Sequence, residues 1–256
     1  MNRWLALGVF ILAFGVTASA SAAGHAGHVV VVVWDGMRPD FVSATNTPVL
    51  WKMAQEGVFF QNHHAVYPCA TNVNGTAIAT GVYPQRSGLL GNREYRLDID
   101  ARNAIASEDP AAVRKGDELT GGKYLAVPTI EELVQRSGRA TAVAGAKDVV
   151  FLHDRSTQRE TDAAKKSVNL FRKTAAAITG GDALGPFPSP VTPNGKQDEW
   201  TTKGLTELLW RNGIPAFSLL WLSEPDLSQH AYAPGSPIAL EAMKSVDHDL
   251  GVVLRS

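Results

Sequence analysis

The sequence predicts an α/β protein, a three-layer α/β/α sandwich around a mostly parallel sheet. His28 is followed by an unbroken apolar run, VVVVVW, which is typical of a strand buried on both faces of a parallel sheet. Strand-like and helix-like segments then alternate along the chain, the pattern of a sheet covered by helices on both sides. With 256 residues, 45% of them hydrophobic, the chain is long enough to bury such a core.

The helices and strands are expected in the following order after that first strand. Thr47 and Pro48 open a helix that ends at Gly57, with proline in its first turn and glycine as its stop. A short buried helix is expected from Thr71 to Gly81. The later part predicts a helix over 129–138, a strand over 139–145, a helix over 201–212, a strand over 216–222 and a helical segment over 237–254. Residues 93–123 and 180–197 are rich in Gly, Pro, Asn and charge without periodicity, so we expect long loops there.

Composition and charge exclude several classes of protein. The chain has 24 Lys and Arg against 25 Asp and Glu, so no basic surface favours a nucleic acid duplex or an anionic membrane. Cys69, the single cysteine, has no second cysteine for an internal disulfide and excludes a cysteine-rich zinc module. The remaining partner class is a small-molecule substrate, while the oligomeric state stays open.

The first 22 residues predict a secretory signal peptide. Arg3 precedes an apolar run from Trp4 to Val16, and alanines spaced as A-x-A follow at 18–22. A membrane-spanning helix needs roughly 18 or more apolar residues, which this run does not reach. We therefore expect a periplasmic or secreted domain over residues 23–256 without a membrane span.

Polar residues that follow the buried strands predict where a ligand binds, because ligands of such sheets lie beyond the carboxyl ends of the strands. Asp35 follows the valine-rich strand, and Asp226 follows the strand near Phe217. His230 lies four residues after Asp226, so one helical turn would place both side chains on one face, where they could chelate a divalent metal ion. A local Asp–His hydrogen bond is the alternative, and Asp35 alone could equally serve a turn or a helix cap.

Thr71 is expected at the N-terminus of a buried helix, where free backbone N–H groups favour an anion such as phosphate. A hydroxyl ionised there by a metal would be a nucleophile. The alternative is that Thr71 only caps the helix.

Three motifs in order, VVVWDGMRPD, YPCATNVN and LSEPDLSQH, resemble the alkaline phosphatase superfamily, specifically its nucleotide pyrophosphatase/phosphodiesterase branch. The resemblance implies a metal-dependent hydrolase of phosphate esters that works through a phosphothreonine intermediate with two divalent metal ions. The oxygen and imidazole ligands suit zinc, while manganese or another borderline ion stays open. It implies that Asp35 binds one ion, that Thr71 is the nucleophile on the same ion, and that Asn74 donates to a phosphoryl oxygen. Asp226 and His230 resemble the ligands of the other ion.

The family pattern also contains a later Asp-His pair and a further histidine, which are not found here. Asp247 and His248 are adjacent on the last predicted helix and are expected on a solvated helix face. The domain is therefore expected to be incomplete at its C-terminus, and the alternative function is a catalytically incomplete fragment that binds metal weakly.

A sulfatase is less favoured, because Cys69 lacks the C-x-P-x-R signature and is expected to be a small buried neighbour of Thr71. The substrate stays open among a nucleotide diester, a lipid headgroup, a phosphomonoester and a phosphonate.

Overall fold

The central element of the protein is a parallel sheet. The computed structural model describes residues 26–155, 167–171 and 184–256, so the predicted signal peptide at 1–22 lies outside the described residues. Four parallel strands form the sheet in the spatial order β1–β6–β4–β5, where the strands are β1 (Val29–Trp34), β4 (Thr141–Gly145), β5 (Ser167–Phe171) and β6 (Phe217–Leu222). A short antiparallel pair, β2 (Arg93–Glu94) and β3 (Ile105–Ala106), lies outside this sheet.

Helices surround the sheet. They are α1 (Pro48–Glu56), α2 (Thr71–Thr80), α3 (Pro84–Ser87), α4 (Pro110–Thr120), α5 (Ile130–Arg136), α6 (Gly195–Lys203), α7 (Asp226–Tyr232) and α8 (Pro237–Arg255). Two short 3-10 segments, Pro39–Phe41 and Asp148–Leu152, follow β1 and β4, and α6 continues as a π-helical segment over Gly204–Leu209. No helix in the described ranges is both long and apolar enough to cross a membrane.

The hydrophobic core lies on both faces of the sheet, which confirms the predicted three-layer α/β/α sandwich. Strand β6 is buried at all six positions because it lies between β1 and β4 and has helices on either side. On one face, α1, α6 and α8 contribute to a cluster that includes Leu50, Trp200, Leu220 and Val246. On the other face, α2 and α4 contribute to a cluster that includes Val73, Val113, Val149 and Leu219.

The prediction of a long loop over 93–123 is wrong, because this region contains β2, β3 and the eleven-residue helix α4. The Asp109 carboxylate accepts hydrogen bonds from the backbone N–H groups of Ala111 and Ala112, and Pro110 stands at the first helical position. This is a strong helix start, followed by Gly121 as a left-handed stop. The local signals for a helix were therefore present in the sequence.

The helix predicted over 201–212 begins earlier, at Gly195, inside the loop predicted over 180–197, of which residues 180–183 lie outside the described ranges. It then changes to π-helical hydrogen bonding from Gly204 onward.

Asp247 is buried, so its predicted place on a solvated helix face is wrong. Its carboxylate accepts hydrogen bonds from the backbone N–H groups of Val49 and Leu50, both at 2.9 Å, at the start of α1. Helix N-termini leave N–H groups without partners, and here an acidic residue of α8 satisfies two of them. His248 is exposed, as predicted.

Candidate active site

Asp35 and Asp226 lie side by side at the carboxyl edge of the sheet. Asp35 follows β1 directly, and Asp226 is the first residue of α7, shortly after β6. The backbone N–H of Asp226 donates to the carbonyl oxygen of Asp35 at 3.0 Å. Gly36 has φ +67°, and a Cβ atom there would lie 2.8 Å from the Asp226 Cα. The backbone itself therefore holds the two acidic residues together, and only glycine fits between them.

Lys147 lies between these two carboxylates, although the sequence reasoning gave it no role. Its Nζ donates to Asp35 Oδ2 at 2.7 Å and to Asp226 Oδ2 at 2.6 Å. Burial acts to lower the pKa of Lys147, but the charge of Asp35 and the hydrogen bonds to both aspartates outweigh it, so the pKa is raised above its usual value. Lys147 follows β4, a neighbour of β6, so the strand-end rule that identified the aspartates would have found it too.

Trp221 of β6 fixes the Asp35 carboxylate from inside the core. Its indole N–H donates to Asp35 Oδ2 at 3.2 Å. The same ring packs against α2, where a Cβ atom at Gly75 would lie 3.3 Å from it. Trp221 thus links the carboxylate to the helix that begins with Thr71.

His230 and Asp226 lie on the same face of α7, as their spacing predicts. The His230 Nε2 is 3.3 Å from Asp226 Oδ1, and the histidine side chain is 82% exposed. The two side chains are neighbours without a hydrogen bond between them within the described residues, so the alternative of a local Asp–His hydrogen bond is not supported, and a role of the pair as metal ligands stays a prediction.

Thr71 is the first residue of α2 and does not cap it, so the capping interpretation is wrong. The N-cap residue is Ala70, and no side chain accepts a hydrogen bond there. Within the described residues, the Thr71 hydroxyl makes no hydrogen bond, and it is half-buried at the wall of a cleft. The hydroxyl is therefore free to contact a ligand at the positive end of the helix.

Asn74 does not present a free amide to a ligand, contrary to the donor role expected for it. Its Nδ2 donates to the carbonyl oxygens of Val66, Pro68 and Ala70 at 3.3, 3.3 and 3.1 Å, and its Oδ1 accepts from the Val66 N–H at 2.8 Å. These contacts fasten the segment before α2 to the helix. The side chain therefore positions Thr71 through the backbone and does not have a hydrogen to spare.

Asn92, which the sequence reasoning missed, has the free amide that Asn74 lacks. The N–H of Asn72 donates to Asn92 Oδ1 at 2.9 Å, which orients the side chain. Its Nδ2 has no hydrogen-bond partner among the described residues, and Asn92 is exposed in the wall of the same cleft as Thr71. The signal was the Gly91-Asn92 turn, which pattern reading alone does not connect to α2.

One open cleft of about 1170 Å³ brings the five predicted site residues together: Asp35, Thr71, Asn74, Asp226 and His230 all line it. This size suits a small molecule. Cys69 also lines the cleft and is exposed, so its predicted burial is wrong. Over the described ranges, no group of three or more His, Cys, Asp or Glu side chains is arranged to hold a metal ion.

The structure is thus an α/β/α sandwich whose cleft brings carboxylates at the carboxyl edge of the sheet together with a hydroxyl at a helix N-terminus. Residues 29–256 match the family described as type I phosphodiesterase / nucleotide pyrophosphatase, and the chain belongs to that family. The resemblance stated from the sequence motifs is thereby confirmed.

Among curated proteins, the chain is similar to human ectonucleotide pyrophosphatase/phosphodiesterase family member 1, with 24% identity over 226 residues, 86% of this chain and 20% of the relative. It is also similar to a venom phosphodiesterase of Crotalus durissus collilineatus, with 23% identity over 222 residues, 86% of this chain and 23% of the relative. The chain thus spans about a fifth of the length of these relatives.

Two solved structures show the same fold. Phosphonoacetate hydrolase from Sinorhizobium meliloti 1021, in complex with phosphonoacetate, superimposes with a TM-score of 0.66 at 24% identity, covering 90% of this chain and 54% of that chain. Murine ectonucleotide pyrophosphatase / phosphodiesterase 5 gives a TM-score of 0.56 at 18% identity, covering 89% and 52%. The predicted fold class is therefore confirmed.

Proposed function

We propose that this protein is a metal-dependent hydrolase of phosphate esters that acts through a phosphothreonine intermediate. The observation that carries the proposal is the free hydroxyl of Thr71, at the N-terminus of α2, in the same cleft as Asp35 and Asp226. A phosphoryl group placed there would meet a nucleophile, a helix N-terminus and groups able to hold cations.

The cleft contains donor types that divalent metal ions bind, namely carboxylates, a hydroxyl and an imidazole. The carboxylates of Asp35 and Asp226 converge on a single cation, the Lys147 ammonium, so this point of the cleft already stabilises positive charge. Asp35 and Thr71 would hold one ion, Asp226 and His230 the other, and oxygen with imidazole ligands favours zinc. Bound ions would supply positive charge that lowers the pKa of a hydroxyl and balances charge on a departing oxygen.

The residues of the chain have distinct parts in the reaction. The Thr71 hydroxyl gives up its proton to solvent as its oxygen forms a bond to phosphorus, and the ester oxygen leaves with the electron pair of the broken P–O bond and takes up a proton from solvent. The N–H groups at the start of α2 and the amide of Asn92 donate hydrogen bonds to the phosphoryl oxygens. Water then cleaves the phosphothreonine and restores the hydroxyl. Asn74 and Trp221 position the nucleophile and Asp35.

The test is hydrolysis of an aryl phosphodiester by the zinc-loaded protein. Thr71→Ala should lower kcat by about 10³-fold or more, because the covalent step is lost. Thr80→Ala, at the other end of α2, is the matched control, since its hydroxyl only donates to the Thr76 carbonyl oxygen. Equal activities of the two variants would exclude Thr71 as the nucleophile.

The catalytically incomplete alternative is favoured by one observation, the lack of any group of three metal-binding side chains within the described residues. Zinc content by atomic absorption separates the two functions. A folded protein without bound zinc and without turnover supports the incomplete form, whereas stoichiometric zinc with turnover supports the enzyme.

The substrate and the location of the enzyme are part of the same proposal. A panel of an aryl diester, an aryl monoester and phosphonoacetate would assign the substrate class; the fold likeness to a phosphonoacetate hydrolase is the reason to include the phosphonate. We propose a periplasmic or secreted protein, and loss of the residues 1–22 from the exported protein, measured by intact mass, tests it.

A further inference from the structure

The position of Lys147 is the starting observation. Its ammonium forms ion pairs with Asp35 and Asp226, while the side chains of these three residues are only 20%, 9% and 19% exposed. Two carboxylates brought together at such low exposure repel each other and lose hydration unless a cation compensates them. Lys147 supplies that cation from the chain itself.

The two contacts use the atoms that a metal ion would need. Lys147 engages Oδ2 of Asp35 and Oδ2 of Asp226, which are the proposed ligands of the two ions. A zinc ion binds carboxylate oxygen at about 2.0–2.2 Å, and an ammonium in the same place would be repelled by its double charge. Lysine and metal therefore exclude each other from this position.

A second cavity gives the lysine a place to move. It has a volume of about 220 Å³, lies beside Lys147 and Thr71, and has Glu108 and Asp148 in its wall. The lysine side chain has a flexible four-carbon stem, so its ammonium can swing without backbone movement. Both carboxylates already have partners of their own, the Asn72 amide in the case of Glu108, so this cavity offers the ammonium space and nearby negative charge rather than unpaired acceptors.

We propose that Lys147 is a built-in counter-cation of the metal-free cleft, which holds Asp35 and Asp226 together until a divalent ion displaces it. The proposal rests on the proposed metal-dependent function. It makes Lys147 a positioning residue that sets the affinity for metal: removing its charge weakens the metal-free fold and strengthens metal binding.

The opposite signs of these two effects provide the test. Lys147→Met keeps the length of the side chain and removes the charge. Lys244→Met is the control, because Lys244 is exposed and its ion pair is with Glu241, three residues away on the same helix. Thermal unfolding in a chelator should show a Tm for Lys147→Met lower by about 5 °C. Competition with a chromophoric chelator should show roughly tenfold tighter zinc binding. The control should change neither quantity.

A charge-retaining variant covers the case in which Lys147→Met does not fold without metal. Lys147→Arg can bind both carboxylates with its planar fork, so we expect an unchanged or higher metal-free Tm and zinc binding weaker by about threefold or more. A lysine with only a structural role would leave zinc affinity of this variant unchanged.

The outcomes distinguish this proposal from the proposed function. If the wild type binds zinc and Lys147→Met binds it equally well or more weakly, the proposed competition between lysine and metal is overturned, and the metal-dependent function stands. Tighter binding in Lys147→Met with weaker binding in Lys147→Arg supports it. Absence of zinc binding in the wild type and in both variants overturns the metal-dependent function and the competition together.

Discussion

Two pairs of aspartates lie in different regions of this molecule, and the protein treats them in opposite ways. Asp35 and Asp226, at the cleft, share the Lys147 ammonium. Asp198 is buried near the other face of the sheet and accepts only from neutral donors, the backbone and hydroxyl of Ser223 and the Glu224 N–H.

Asp249, the second aspartate of this region, has an Oδ2 atom with no hydrogen-bond partner in the part of the chain that the structure describes. Burial raises the pKa of Asp198 to about 7, against the hydrogen bonds that lower it. Burial, with the charge of Asp198 added, raises the pKa of Asp249 to about 8. The cleft thus balances its two carboxylates with a lysine cation, whereas burial without a cation of comparable contact shifts Asp198 and Asp249 toward their protonated forms.

The largest difference between the two regions should appear in metal binding. Asp35→Asn removes a proposed ligand, so we expect zinc affinity to fall by at least about 100-fold and kcat/KM by about 10³-fold. Asp198→Asn should leave the zinc content of the folded protein unchanged. Atomic absorption and aryl-ester kinetics measure both, and equal zinc loss in the two variants would contradict the distinction.

The two asparagines near Thr71 differ in the same way as the two aspartate pairs. The Asn92 amide is open to a ligand, whereas the Asn74 amide is bound to the backbone. Asn92→Ala should lower kcat by about 10²-fold with little change in Tm, because a donor to the phosphoryl oxygens is removed. Asn74→Ala should instead lower the free energy of unfolding by about 2 kcal/mol, since backbone groups lose their partner. Kinetics and urea unfolding of both variants separate the roles; a stability loss confined to Asn92→Ala would reverse them.

The interior pair predicts a pH dependence of stability. The unfolded chain loses an aspartic acid proton near pH 3.8, whereas the folded chain keeps it to about pH 7 at Asp198 and about pH 8 at Asp249. Between pH 3.8 and these folded-state pKa values the unfolded state binds fewer protons than the folded state, so the free energy of unfolding falls as pH rises. The stability that the two protonated acids contribute is complete below about pH 3.8 and is lost above about pH 8.

Asp249→Asn tests this assignment, because it removes one of the two titrations. Urea unfolding should show that the free energy of unfolding of the variant gains roughly 4 kcal/mol relative to wild type between pH 5 and pH 8, because the wild type loses about 1.4 kcal/mol per pH unit over most of this range. The same slope in both proteins would show that Asp249 does not hold a proton in the folded state.

The smallest effect concerns the tryptophans. Trp221→Phe removes the donor to Asp35 and keeps an aromatic ring against α2, so we expect zinc affinity to fall by about tenfold. Trp210→Phe loses a comparable buried hydrogen bond, from its indole N–H to the Ser218 hydroxyl at 3.0 Å. Calorimetric zinc titration should find the second variant unchanged; a shared loss would indicate a general effect on the core.

The sequence was sufficient for the residues that follow strands and for those in ordered motifs. Asp35, Thr71, Asp226 and His230 line one cleft because the carboxyl ends of neighbouring parallel strands meet at one edge. Lys147 obeys the same rule, but a lone lysine after a short strand carries no motif.

The remaining errors concern contacts between segments that are distant in the chain. Asp247 caps α1 from α8, across 198 positions, and no local pattern encodes that contact. Asn74 and Asn92 have the same side chain, and only the folded backbone decides which amide is consumed. Their roles depend on side-chain direction, which periodicity does not specify.

Gly36 has a consequence for how this site can vary. A methyl group at that position would act as a wedge between the turn after β1 and the first residue of α7. The main chain thus fixes the distance between the Asp35 and Asp226 backbones. Substitutions of the surrounding side chains can therefore change which ligands bind without changing that distance. Specificity can diverge around a spacing that stays constant.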